Sequence, residues 1–124
     1  MILVDTSVWI DHLRNNNVTL VNLLNTGQVL IHPFVIGELA LGNLRQRDAI
    51  LDTLNNLQSV KIAKDEETIR FINQHKLYGL GIGYIDAHLL TSVRLTPGTL
   101  LWTKDKRLHA AANRLEMSVG SGKL

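Results

Sequence analysis

Apolar residues in this chain come either as short runs or as stripes at helical spacing, and the two kinds alternate. Ile2-Leu3-Val4 is a short apolar run ending at Asp5, which predicts a buried strand. Thr6 or Ser7 can cap a following helix that carries Val8, Trp9, Ile10 and Leu13. A second helix is expected from Val18 to Asn25, stopping at Thr26-Gly27, and Val29-Leu30-Ile31 reads as a second strand. Pro33 suits the opening of a helix through Leu41, closed by Gly42 or Asn43. From Arg45 to Leu57 the residues Ile50, Leu51, Leu54 and Leu57 share one helical face. Val60-Lys61-Ile62 is a weak strand signal. Asp65-Glu66-Glu67 opens another helix, with acids where the helix dipole favours them. Gly79, Gly81 and Gly83 mark a loop, Tyr84 to Leu95 is helical and stops before Pro97-Gly98, and Thr99 to Trp102 is a strand. A helix from Asp105 to Leu115 and a final strand near Ser118-Val119 complete the reading. Short apolar strands alternating with helices predict an α/β fold with a mostly parallel central sheet between helical layers. No linker, repeat or low-complexity tract interrupts the pattern, so one domain over 1–124 is expected.

Composition narrows the classes. The chain has 124 residues, 45% of them hydrophobic, enough for a packed core. It has no cysteine, which excludes disulfides and thiolate metal sites and suits a cytoplasmic protein. The N-terminal residues do not read as a signal peptide, and no segment approaches the roughly 20 apolar residues of a membrane span. A formal charge of +2 permits a nucleic-acid partner without demanding one.

The chemistry points to acids. In open parallel sheets, ligands bind at the carboxyl ends of the strands. Asp5 follows the first strand directly, and Asp105 lies just beyond the Thr99–Trp102 strand. Glu38 has Phe34 and Val35 one turn before it and Leu41 one turn after; Asp86 has Ile82 before it and Leu89 and Leu90 after. Residues three and four apart share a helix face, so both carboxylates are expected to point inward with their apolar neighbours. Neither has a lysine or arginine at three or four positions either side. A distant basic partner is the structural alternative. If the four acids converge, two unit charges about 4 Å apart repel by about 4 kcal/mol at an effective dielectric near 20. A divalent cation removes that penalty, and all-oxygen ligands select hard ions such as Mg²⁺ or Mn²⁺. The other seven acids, among them Asp11, Asp48, Asp52 and Asp65, read as solvated positions.

These segments resemble a known family. Ile2-Leu3-Val4-Asp5-Thr6-Ser7-Val8-Trp9-Ile10 is similar to the first strand and turn of PIN domains of the VapC toxin class. Ile36-Gly37-Glu38-Leu39, Tyr84-Ile85-Asp86-Ala87 and Leu101-Trp102-Thr103-Lys104-Asp105-Lys106-Arg107-Leu108 resemble its second, third and fourth acidic motifs. One motif would be weak evidence, but four in register span nearly the whole chain. The resemblance implies a three-layer α/β/α PIN domain that cleaves RNA with Mg²⁺ or Mn²⁺. It makes Asp5, Glu38, Asp86 and Asp105 the catalytic and metal-binding acids, with Thr6 and Thr103 as supporting polar residues. It also implies a homodimer and a cognate VapB-type antitoxin that lies along a groove and reaches the site. Lys104, Lys106 and Arg107 flank Asp105 and could engage phosphates; the alternative is a solvated helix start.

Other residues carry less. The five histidines are scattered; His88 should point away from Asp86, while His32 ends a strand near the expected site. Trp9 and Trp102 read as core or groove wall. The three glycines lack the dinucleotide fingerprint, because Tyr84 stands where that motif needs a small residue. Two other functions compete: a PIN-like module that binds RNA or a protein without cutting, and a receiver-type phosphoacceptor. The second fits poorly, because Asp5 is followed by Thr6 and the second strand ends at His32-Pro33.

Overall fold

The computed structural model describes residues 1–120. The last four residues of the expected domain lie outside the described residues. The elements run β1 (Ile2–Val4), α1 (Thr6–Asn15), α2 (Val18–Asn25), β2 (Val29–Leu30), α3 (Pro33–Ala40), α4 (Arg47–Asn55), α5 (Asp65–His75), α6 (Tyr84–Leu95), β3 (Leu100–Trp102) and α7 (Lys106–Arg114). All three strands pair in parallel, in the order β2-β1-β3. Each parallel step needs a crossover, which the helices supply. The result is a single α/β/α domain.

Single parallel bridges widen the sheet on both sides, Ile31 to Ser59 beyond β2 and Leu101 to Ser118 beyond β3. The second matches the final strand expected near Ser118-Val119. The expected Val60–Ile62 strand is reduced to the edge of the first bridge, where the Val60 N–H donates to the Ile31 carbonyl at 3.0 Å. Beyond it the Lys61 N–H donates to Thr96 Oγ1 and the Ala63 N–H to Ser92 Oγ, both at or near the end of α6. The chain after Val60 is thus pinned to a helix instead of extending the sheet.

β1 is central and buried along its full length, as a parallel strand covered on both faces should be. The core gathers Leu3, Leu20, Leu30, Leu39, Leu89, Leu90, Leu101 and Leu108 from strands and helices alike. Deleting one of these side chains to alanine costs about 2–5 kcal/mol in a close-packed interior. Helix termini follow local chemistry. The Asn17 side chain caps α2 by accepting from the Leu20 N–H, and Pro33 opens α3 while His32 Nδ1 accepts from the Phe34 N–H. The helix expected from Arg45 to Leu57 is shorter, Arg47–Asn55, and Arg47 donates to the Ala40 carbonyl at the end of α3. No helix among the described residues is long and apolar enough to cross a membrane.

Candidate active site

The carboxyl ends of β1 and β3 meet, and they bring two acids with them. Asp5 donates its backbone N–H to the Trp102 carbonyl at 2.9 Å, which continues the β1–β3 ladder one step past the strands. Asp5 is the N-cap residue of α1, in place of the expected Thr6 or Ser7, yet its side chain makes no capping bond. Instead the buried Asp5 Oδ2 accepts from Ser7 Oγ at 2.8 Å and from Thr103 Oγ1 at 2.7 Å. Thr103 Oγ1 in turn accepts from the Asp105 N–H at 3.0 Å, and Ser7 Oγ from the Lys104 N–H at 2.9 Å. Two hydroxyls thus lock the turn after β1 to the turn after β3. Asp105 caps α7 by accepting from the Leu108 N–H through Oδ1.

The other two acids arrive on helices. Asp86 lies in the first turn of α6, where its Oδ2 accepts from the N–H of Gly83 at the helix start. Glu38 is on α3, and its Oε1 accepts from Thr6 Oγ1 at 2.7 Å, next to Asp5 in the chain. The expectation that Glu38 turns to the interior is corrected. Glu38 is exposed, and so is the face it shares, with Leu41 90% exposed and Phe34 38%. Only Val35 and Leu39 of α3 are buried, so the inward stripe lies one residue round from Glu38. Glu38 is held at the mouth of the site by Thr6, not by burial.

Convergence shows in the electrostatics. Burial raises the Asp86 carboxyl above the usual aspartate range; the Gly83 N–H opposes this, and the charges of Asp5, Asp105 and Glu38 add to it. All three other acids are therefore near enough to be felt at Asp86. None of the four pairs with a lysine or arginine among the described residues. Each also has one oxygen anchored and one free of hydrogen bonds to described residues. The free atoms are Asp5 Oδ1, Glu38 Oε2, Asp86 Oδ1 and Asp105 Oδ2. Hard oxygens with fixed backs and unpaid charge suit a divalent cation. The fit is one of donor chemistry: among the described residues no three acidic or imidazole side chains already stand in ion-binding geometry. Four like charges without a counter-ion have reason to stand apart.

Thr6 and Thr103 both bond to site acids. Ser7 was missed, although it touches Asp5, Thr103 and the Lys104 backbone. Its position two residues past Asp5, opening a helix, was the available signal. Of the three cations, Lys104 lies 3.5 Å from Asp11, whereas Lys106 and Arg107 have no acidic partner among the described residues. His88 does point away from Asp86: its Nδ1 meets Thr68 and its Nε2 meets Asp65. Asp65 is exposed but not merely solvated, since it also accepts from the Tyr84 hydroxyl. Trp9 is core, and Trp102 packs against the core.

The PIN domain family model matches residues 2–114. A relative named Ribonuclease VapC32, from Mycobacterium tuberculosis strains CDC 1551 / Oshkosh and ATCC 25618 / H37Rv, is 51% identical over 111 residues, covering 90% of both chains. The parallel sheet, the acids at its carboxyl edge and these two matches agree that the chain belongs to the PIN domain family and is of the VapC type.

Proposed function

We propose that this protein is a metal-dependent endoribonuclease and the toxin of a type II toxin–antitoxin pair, acting in the cytoplasm. The observation that carries the reading is the set of four anchored carboxylates, each with one oxygen free and none with a basic partner among the described residues. The relative's name, Ribonuclease VapC32, supports RNA as substrate and a VapB-type antitoxin as partner. Mg²⁺ or Mn²⁺ is the cofactor this donor set favours, and a homodimer is the expected assembly.

Asp5 and Asp86 are the best direct ligands. Each is set by hydrogen bonds from the opposite side: two hydroxyls on Asp5 and the Gly83 N–H on Asp86. Asp105 joins as a ligand or by positioning substrate. A bound cation supplies an activated water and offsets charge building on the scissile phosphate. Glu38, at the open mouth of the site, is placed to accept a proton through Oε2 while Thr6 holds Oε1. Lys106 and Arg107, and more weakly Lys104, offset the acidic field for the incoming phosphates. The expected products carry a 5′-phosphate and a 3′-hydroxyl.

The test is Asp5→Asn. Purified protein should cleave RNA with Mg²⁺ or Mn²⁺ and stop in chelator, and the variant should lose at least about a hundredfold in rate. Mn²⁺ should also raise the melting temperature of the parent and not of the variant. Undiminished cleavage by Asp5→Asn ends the proposal. Stabilisation by Mn²⁺ without any cleavage would favour the PIN-like binding module instead.

A further inference from the structure

Between α7 and the loop before α6 lies a groove of about 320 Å³, lined by Leu80, Lys106, Arg107, Ala110, Ala111 and Arg114. We propose that it is a nucleotide subsite for the RNA strand beside the scissile bond, with an apolar floor for a base and a cationic rim for a phosphate. This rests on the ribonuclease reading above and adds a path along which the strand runs.

Position comes first. Lys106 directly follows Asp105, and Leu80 lies three residues before Gly83, whose N–H holds Asp86. The groove is therefore walled by the segments that deliver two of the four acids. Its volume is at the low end for ligand sites, which run from about 300 to 1,000 Å³, and suits a single nucleotide rather than a folded partner. Charge comes second. Three of the six lining residues are cationic and none is acidic. Arg114 Nη2 donates to the His75 and Lys76 carbonyls, which fixes the far wall. Lys106 and Arg107 have no acidic partner among the described residues, so their charge is open to a phosphate.

A loop contact comes third. Gly81 has φ +77°, and a Cβ there would stand 2.8 Å from Arg107 Nη1 and 2.9 Å from its Cδ. The exposed Arg107 side chain therefore lies over the loop that leads to Asp86, and a side chain at Gly81 would displace it from there.

Ala110 is exposed, so Ala110→Glu places a negative charge in the groove without touching the core. The assay uses the Asp5→Asn background to prevent cleavage, a fluorescent mixed-sequence single-stranded RNA of about 12 nucleotides, and anisotropy across a salt series. Ala110→Glu should weaken binding about tenfold by like-charge repulsion. Arg107→Ala should weaken it and flatten the log K against log salt slope by about 0.7, the value for one lost contact to a single strand. Thermal melts establish that both variants are folded. Unchanged affinity and slope in both folded variants overturn the subsite, while Asp5-dependent cleavage by the parent keeps the ribonuclease reading intact. If the parent cuts no RNA, both fall. Loss of binding to an acidic peptide, with RNA affinity kept, assigns the groove to a protein partner and also overturns the subsite.

Discussion

Asp86 is the residue where the proposed function and stability pull apart. Burial and three neighbouring acids raise its carboxyl above the ordinary range in the folded chain. The folded form therefore takes up a proton at higher pH than the unfolded form, so this group's contribution falls as pH rises through that window. Above it, at neutral pH, the repulsive cost is fully present. Asp86→Asn should raise the melting temperature of metal-free protein by a few degrees at pH 7, and the gain should shrink as pH falls through the raised range of Asp86. Equal melting temperatures at pH 7 would mean that the Asp86 charge carries no net cost in the folded chain. His32 behaves oppositely. It is fully buried, and burial together with nearby His88 pushes it down to about 4 from an ordinary 6.5. The unfolded chain protonates first, so the stability from a neutral His32 is complete above about pH 6.5 and is lost as pH falls toward 4. His32→Asn keeps an acceptor for the Phe34 N–H and should flatten the loss of urea stability between pH 7 and 5, at a cost of about 1–2 kcal/mol at neutral pH for the smaller side chain. At this scale the four acids were legible because their order and flanking residues are sequence properties. The exposure of Glu38 was not, since whether a helical stripe is inward depends on what packs on it, and Val35 and Leu39 won that contest. Ser7 offered a local signal in its place after Asp5, but its contact with Thr103, 96 residues away, left none.

Elements were legible where a local signal was strong. Asn17 before α2 and Pro33 at α3 mark true starts, and the apolar run of β1 is a buried central strand. The Val60–Ile62 segment has strand-like residues, but past the Val60 bond to Ile31 hydroxyls from α6 and its end outcompete a strand partner. Such a choice between two distant hydrogen-bond partners leaves no trace in local sequence. The glycine loop shows the reverse case, in which spacing was visible and purpose was not. Gly79 and Gly81 both have positive φ, but a side chain at Gly79 meets open space while one at Gly81 meets Arg107. Alanine at either position should cost about 1 kcal/mol in a urea melt. Only Gly81→Ala should also weaken RNA binding, and matched affinities for the two variants would detach Arg107 from the loop's function.

For the whole molecule, the parallel order β2-β1-β3 brings the carboxyl ends of β1 and β3 together with Asp5 and Asp105, and Asp86 on α6 feels both charges as well as that of Glu38. Under the proposed function, capture of a cation by these carboxylates would depend on proton release. Mn²⁺ affinity, read by the melting shift, should therefore fall as pH is lowered through the raised range of Asp86, and Asp86→Asn should weaken both the affinity and its pH dependence; unchanged values in the variant would exclude Asp86 as a ligand. The α/β layering was readable from the alternation of runs and stripes, whereas strand order was not, because nothing local says that β1 lies between its partners.

Thr103 bonding Asp5 across 98 residues has a consequence for biosynthesis. A growing polypeptide that has emerged from the ribosome only as far as α6 carries three of the acids, but lacks β3, one of the two strands that flank β1, and the hydroxyl of Thr103 that bonds Asp5. The candidate site can therefore assemble only after translation has passed Thr103, and a nascent chain halted before that point should be inert as a nuclease.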